Sequence, residues 1–110
     1  MASTYKVLGQ ANPANTATAT LYTVPAGGQA IVSTITVANV TSSPASFDIY
    51  IGVDGAVAST ANALAFGVTL LASQTQALTL GVTADATDVI YVKTSVADAL
   101  TFSAFGLEIS

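Results

Sequence analysis

Histidine, cysteine, tryptophan and arginine are all absent from this chain of 110 residues, and charge of either sign is scarce. Without histidine, a nucleophilic triad of the usual kind has no imidazole base. Without cysteine there is no disulfide, no thiolate metal site and no thiol nucleophile. Two lysines are the only cationic side chains, against six acidic ones, for a net charge of −4. Gripping nucleic-acid phosphates takes several Lys or Arg contacts, so no nucleic-acid partner is expected. A polybasic membrane patch is excluded on the same ground. The opening MASTYKVLGQ has neither the basic nor the long apolar segment of a signal peptide. No apolar run approaches the roughly 18 residues of a membrane-spanning helix. The expectation is a soluble chain made in the cytoplasm.

What remains is apolar and hydroxyl-rich. Apolar residues make up 52% of the chain, yet charged residues make up 7%, against roughly 25% in ordinary globular domains. Between Lys6 and Asp48 no side chain is charged. The length suits one domain with its own core, burying roughly 60–70% of the unfolded surface.

Local patterning favours strands, because Thr, Val and Ile fit a pleated surface better than a helix. In FDIYIGVD, alternation places Phe47, Ile49, Ile51 and Val53 on one face and Asp48, Tyr50, Gly52 and Asp54 on the other. IVSTITV groups Ile31, Ser33, Ile35 and Val37, and ALTLGV groups Leu78, Leu80 and Val82. VIYVKTSV turns Ile90, Val92 and Val96 inward and Lys93 outward. The last segment is less regular: Leu100, Phe102 and Ala104 share a face, whereas Phe105, Leu107 and Ile109 have the opposite parity. Either both faces of that strand are covered, or a bulge near Ala104–Phe105 shifts the alternation. Turn signals recur at PAGG, TSSP, VDGA, TADATD and ADA. About eight strands at this spacing predict an all-β antiparallel sandwich or barrel. Residues 58–73 tolerate a helical turn before FGVTLLA resumes as a strand. TYKVLGQ could be an early strand, but ANPANTATAT is small, polar and interrupted by Pro13. Residues 1–16 are therefore expected as an extended N-terminal arm and 17–110 as the β domain.

Few residues could do chemistry. A lysine base would have to be Lys6 or Lys93, and no motif accompanies either. Asp48 and Asp54 share the outer side of one strand and its turn, and Asp85 and Asp88 flank another turn, but neither pair comes with the aromatic platforms of a sugar site. TADATD could offer Asp85 and Asp88 to a cation such as Ca²⁺, although Asp is common in turns for its bonds to local amides. AGG lacks the helix and lysine of a phosphate loop, so Gly27 and Gly28 are assigned to turn geometry. The chain is expected not to be an enzyme, with no cofactor, no metal and no small-molecule substrate.

The shortage of charge points instead to company. A lone sheet protein guards its edges with Lys, Pro, bulges or coverage, and this chain has two lysines and three prolines. A surface of Thr, Ser and Ala sheds water more cheaply than carboxylates and ammonium groups do, and interface cores are correspondingly poor in charge. Much of the exterior is expected to lie against other protein.

The stretch YKVLGQANPA…LYTVPAGGQAIVSTITVANVTSSPASFDIYI, followed by LTLGVTADATDVIYVKTS…LTFSAFGLEIS, resembles small virion structural proteins of tailed bacteriophages. The likeness runs from about Tyr5 to Ser110 and consists of strand and turn patterns. It implies a β-sandwich subunit without enzymatic activity, built into the particle, and jelly-roll-like connectivity is the topology expected. Capsid cement or decoration proteins and tail or fibre components both occur in that class. The expected role is a cement protein on the capsid surface, made in the host cytoplasm, binding the major capsid protein and copies of itself as a trimer. The arm would reach a neighbouring subunit. Tyr5, Lys6, Pro13, Tyr22, Tyr50 and Tyr91 are the interface candidates. The alternative is a tail-fibre or baseplate module binding a host glycan, with Tyr22, Tyr50 and Tyr91 on outer faces.

Overall fold

A computed structural model describes residues 3–110. Eight strands form: β1 (Ser3–Ala11), β2 (Ala19–Thr23), β3 (Gln29–Asn39), β4 (Ala45–Gly52), β5 (Ala63–Leu70), β6 (Thr75–Asp85), β7 (Val89–Thr94) and β8 (Leu100–Ile109). They make two four-stranded sheets, ordered β1-β8-β3-β6 and β2-β7-β4-β5, and every pairing is antiparallel. Successive strands mostly cross between sheets, which is the double Greek key of a jelly roll. Between the sheets lie Val32, Ile35 and Val37 of β3, Phe47 and Ile49 of β4, Ile90 and Val92 of β7, and Leu100, Phe102 and Ala104 of β8. Phe47 and Phe102 meet edge to face across the sandwich, their ring centres 6.1 Å apart.

The irregularity near Ala104–Phe105 has its origin in the neighbours of β8. Strand β8 alternates without a break, with Phe102, Ala104 and Gly106 facing inward. Opposite it the register slips by one residue in β1, between Val7 and Gly9, and in β3, between Val32 and Thr34. Strand β6 slips again against β3, where Leu80 and Gly81 face Ser33, and Gly81 takes a φ of +61°. A line of bulges thus crosses the whole sheet beside one row of β8. It reverses the parity of β3, so Val32 is buried and Ile31 turns out, contrary to the grouping of Ile31 with Ile35 and Val37. It also leaves Leu80 exposed while Leu78 and Val82 pack on the core.

Other differences have local causes. Val53 is exposed because β4 ends at Gly52 and the chain enters a 3-10 turn, Val53–Gly55. Val96 is exposed because β7 ends at Thr94, whose buried hydroxyl donates to the Val96 carbonyl at 2.8 Å. Within 58–73 only Thr60–Asn62 is helical, a 3-10 turn capped by Ser59 and Asn62, before β5 begins.

The expected N-terminal arm requires correction. Residues 3–11 are β1, paired along β8, with Leu8 and Ala11 packed against the core. Without β1 the backbone of β8 would be left as a bare edge, and two more apolar side chains would lose their cover. Residues 12–16 are the connector to the second sheet, and they are tied down as well. The Asn12 amide donates to the Leu100 carbonyl at 3.0 Å, and the buried Pro13 accepts from the Asp98 amide at 2.9 Å. Met1 and Ala2, the remainder of that arm, lie outside the described residues.

The two sides of the sandwich are unequal. Where β1 passes β2 the chains touch so closely that a Cβ on Gly9 would run into the Leu21 carbonyl. On the opposite side, β6 and β5 are the outer strands of their sheets. From Thr75 to Ala84, β6 has no charged side chain and no proline.

Candidate protein-contact surface

The outer face of the β1-β8-β3-β6 sheet can be read from its cross-strand register, since residues opposite each other share a face. Tyr5, Leu107, Ile31 and Thr83 form one row across all four strands. Val7, Phe105, Thr34 and Thr79 form the next, and Ser3, Ile109, Gln29 and Asp85 the row at the end of the sheet. Beyond the bulges come Gln10, Ser103, Thr36 and Ala77, then Thr101, Ala38 and Thr75. The large apolar side chains therefore gather on one side of the bulges, the apolar half, among Thr, Ser and Gln, and the far half is hydroxyl-bearing, amide or small. The only charged side chain of the face, Asp85, stands at a corner. Within the apolar half Tyr5 is 84% exposed and Val7 49%, and Ile31 is exposed as well. Phe105, Leu107 and Ile109 are half-buried against their neighbours.

The charges have been placed elsewhere. Lys6 and Glu108 point to the other side of the same strands, at the mouth of the sandwich, and form the one ion pair among the described residues at 3.0 Å. The buried Tyr22 hydroxyl donates to the second oxygen of Glu108. These bonds from Tyr22 and Lys6 hold the Glu108 carboxyl below the usual range. Burial, then the bond to Glu108, pushes the Tyr22 phenol well above its ordinary value. The group ties β1, β8 and β2 together.

On the outer face of the other sheet Asp48 lies opposite Lys93, and Tyr50 opposite Tyr91. Asp48 accepts from the Tyr50 hydroxyl at 2.8 Å and from the Gly67 amide at 2.7 Å. Burial, then the bond to Asp48, moves the Tyr50 phenol up to about 12. The connection from Val53 to Asn62 folds over this sheet: Tyr91 donates to the Gly55 carbonyl at 3.4 Å, and Gly52 has no room for a Cβ beneath Ala56. The groove beside Asp48 and Lys93 is open and shallow, about 390 Å³.

Asp85 and Asp88 sit at the end of the molecule with Asp54. Asp88 is 8% exposed, and its two oxygens accept the backbone amides of Asp54 at 2.8 Å and Asp85 at 2.9 Å. Asp85 accepts the next amide, that of Ala86, at 2.8 Å. This is a latch between two loops, and among the described residues no three acidic, His or Cys side chains gather as a metal site.

The six interface candidates are scattered. Tyr5 stands on the uncharged face; Lys6 lies behind it, at the sandwich mouth. Pro13 is buried in the connector. Tyr22, expected on an outer face, points into the sandwich, because the register of β2 slips between Thr20 and Tyr22. Tyr50 keeps its outward side but is buried, its hydroxyl bonded to Asp48, and Tyr91 is half-buried beside the connection. Val7, Ile31, Phe105, Leu107 and Ile109, which complete the face, were not singled out. For Phe105, Leu107 and Ile109 the signal was the apolar run of opposite parity in FSAFGLEI.

No protein-family model matches the sequence, and no curated protein matches it. Solved structures do share its fold. A chain in the acid-stable capsid structure of the Helicobacter pylori bacteriophage KHP30 superposes with a TM-score of 0.54 at 15% identity, covering 99% of this chain and 92% of that one. A chain in the structure of infectious bursal disease virus, Gx strain, superposes at 0.53 with 14% identity, covering 97% of this chain. This chain spans only about a third of it, 32%. The Agl-KA catalytic domain aligns at a TM-score of 0.37, too low to bear on the fold.

Proposed function

We propose that this chain is a non-enzymatic structural protein of a virus particle, and within that class a bacteriophage capsid cement or decoration protein. The observation that carries the reading is a complete sheet face, four strands wide, with a single charged side chain at its corner. Such a face loses little hydration when covered, since apolar and hydroxyl groups are cheaper to desolvate than ions. The fold shared with a chain of a phage capsid structure, over nearly the whole length of both, supports the same class.

In this reading the work is static. The subunit sits on the outside of the virion, spans neighbouring copies of the major capsid protein, and holds them in place as a trimer at local three-fold positions. Host cytoplasm is where it is made. The jelly roll supplies a rigid plate, and contact comes from the strand rows rather than from an N-terminal arm. The glycan-binding alternative asked for clustered exposed aromatics, and of its three tyrosines two are buried and the third half-buried.

The test is binding to particles. Purified chain added to capsids that lack it should co-sediment at a fixed ratio and raise the temperature at which they release their genome. Failure to bind, or a reproducible hit on a glycan array, would overturn the cement assignment.

A further inference from the structure

We infer that Asp54–Gly55 is a site of spontaneous backbone rearrangement to isoaspartate, and that the Asp88 latch holds it inactive. Among the aspartates, Asp54 alone is followed by glycine. In the rearrangement the Gly55 backbone nitrogen attacks Cγ of the protonated Asp54 carboxyl. An N–Cγ bond forms, the Cγ–OH bond breaks, and the hydroxyl leaves with the amide proton as water. A second water then opens the cyclic imide at the main-chain carbonyl, breaking its bond to nitrogen, so the chain continues through Cγ. A side chain on the attacking residue would hinder the first step, and glycine has none. The turn itself requires glycine there, since Gly55 takes a φ of +79°, a region that L side chains rarely adopt. Both residues are exposed, so water reaches them.

The native conformation blocks ring closure. Asp54 has φ +57° and ψ +35°, and at that ψ the Gly55 nitrogen lies nearly opposite Cβ across the Cα–C bond. Closure needs the two on the same side, which means turning over the peptide plane between Asp54 and Gly55. The segment is held against that turn at both ends. Upstream, Asp88 accepts the Asp54 amide at 2.8 Å, and the Asp54 carboxylate accepts from the Thr87 hydroxyl. Downstream, the Gly55 carbonyl accepts from Tyr91 at 3.4 Å, and the Ala56 amide donates to the Val53 carbonyl at 3.1 Å. A residue other than glycine stays in the left-handed region only where its surroundings over-determine it. Asp88 is the buried member of that set, so its loss releases Asp54 to extended conformations from which the ring can close.

The inference is independent of the capsid reading and is tested on the purified chain. Isoaspartate at position 54 is read by protein isoaspartyl methyltransferase and located by electron-transfer mass spectrometry, in mildly acidic buffer where part of the carboxyl is protonated. The samples are the wild type, Asp88→Ala, Val37→Ala and a synthetic peptide of residues 50–60 as the unfolded reference. The wild type should rearrange more slowly than the peptide. Asp88→Ala should be faster than wild type by roughly 5–30-fold, the range by which losing a latch of this strength raises an opened population. Val37→Ala leaves a cavity in the core at the far end of β3, away from these loops, and should keep the wild-type rate. Asp88→Asn, which retains one acceptor oxygen, gives a smaller increase where Asp88→Ala fails to fold. A wild-type rate equal to the peptide's overturns the inference, as does a rate left unchanged by loss of Asp88. An equal rise in Val37→Ala would place the protection in global folding rather than in the latch, and overturns it too.

Discussion

Removing the Asp88 side chain should destabilise the protein by about 2 kcal/mol. Asp88 is nearly buried, and its oxygens hold the amide of Asp54 in the β4–β5 connection and that of Asp85 at the end of β6. A hydrogen bond to an ionised group contributes about 1.5–3 kcal/mol. Both bonds are only part-buried, so water partly replaces the carboxylate in Asp88→Ala, and the pair together falls toward the lower figure. With an unfolding entropy of about 2.1 cal/mol/K per residue, the chain gives roughly 0.23 kcal/mol/K, and 2 kcal/mol lowers Tm by about 9 °C. Asp85→Ala is the comparison, since that side chain holds only the adjacent Ala86 amide. It should cost no more than about 0.5 kcal/mol, near 2 °C. Calorimetry of the three proteins, each with calcium and with chelator, reads the result. Equal melting of wild type and Asp88→Ala would refute the latch. So would a calcium-dependent rise in wild-type Tm that Asp88→Ala abolishes, because binding to the native state alone raises stability in that way.

Three further expectations concern the face and its supports. Glu108 has a folded-state pKa below its unfolded value, so its contribution is present above the ordinary carboxylate range and lost as pH falls through the lower, folded-state value; Tm measured against pH should fall on the acid side, less steeply in Glu108→Gln. Deleting residues 3–11 should give an insoluble or unfolded product, because β8 loses its neighbour; a soluble chain with a wild-type circular dichroism spectrum would contradict the placement of β1. Gly106→Ala should cost roughly 3 kcal/mol or prevent folding, since its Cβ would strike the Ile31 carbonyl in the central strand pair; a wild-type melting temperature would show that the pairing of β3 and β8 is looser than described.

The strands and turns were legible in the sequence because alternation and Gly/Asp/Pro punctuation are local signals. Phe47, Ile49, Ile90, Val92, Leu100 and Phe102 were placed inward, and they form the core. What alternation misses is a bulge: Ser33, followed by a residue of the same face, is indistinguishable from a regular position, so Ile31 was grouped with the wrong side. Gly81 inside a strand was the available sign of the slip in β6. The N-terminal segment was misjudged for another reason. Its polarity is that of an outer strand with one face in water, and composition alone does not separate such a strand from an arm. Tyr22 was turned inward by a register slip in β2, and Tyr50, though on an outer face, is buried with its hydroxyl on Asp48. The uncharged face itself was anticipated only as a shortage of charge over the whole chain; its location needed the register.

Hydroxyl-radical footprinting of the chain, free and bound to capsids, addresses that face most directly. Tyr5, 84% exposed in the single chain, should lose most of its reactivity on the particle, while Phe66, 61% exposed on β5 of the other sheet, should keep its own. Undiminished oxidation of Tyr5 on the particle would contradict the account.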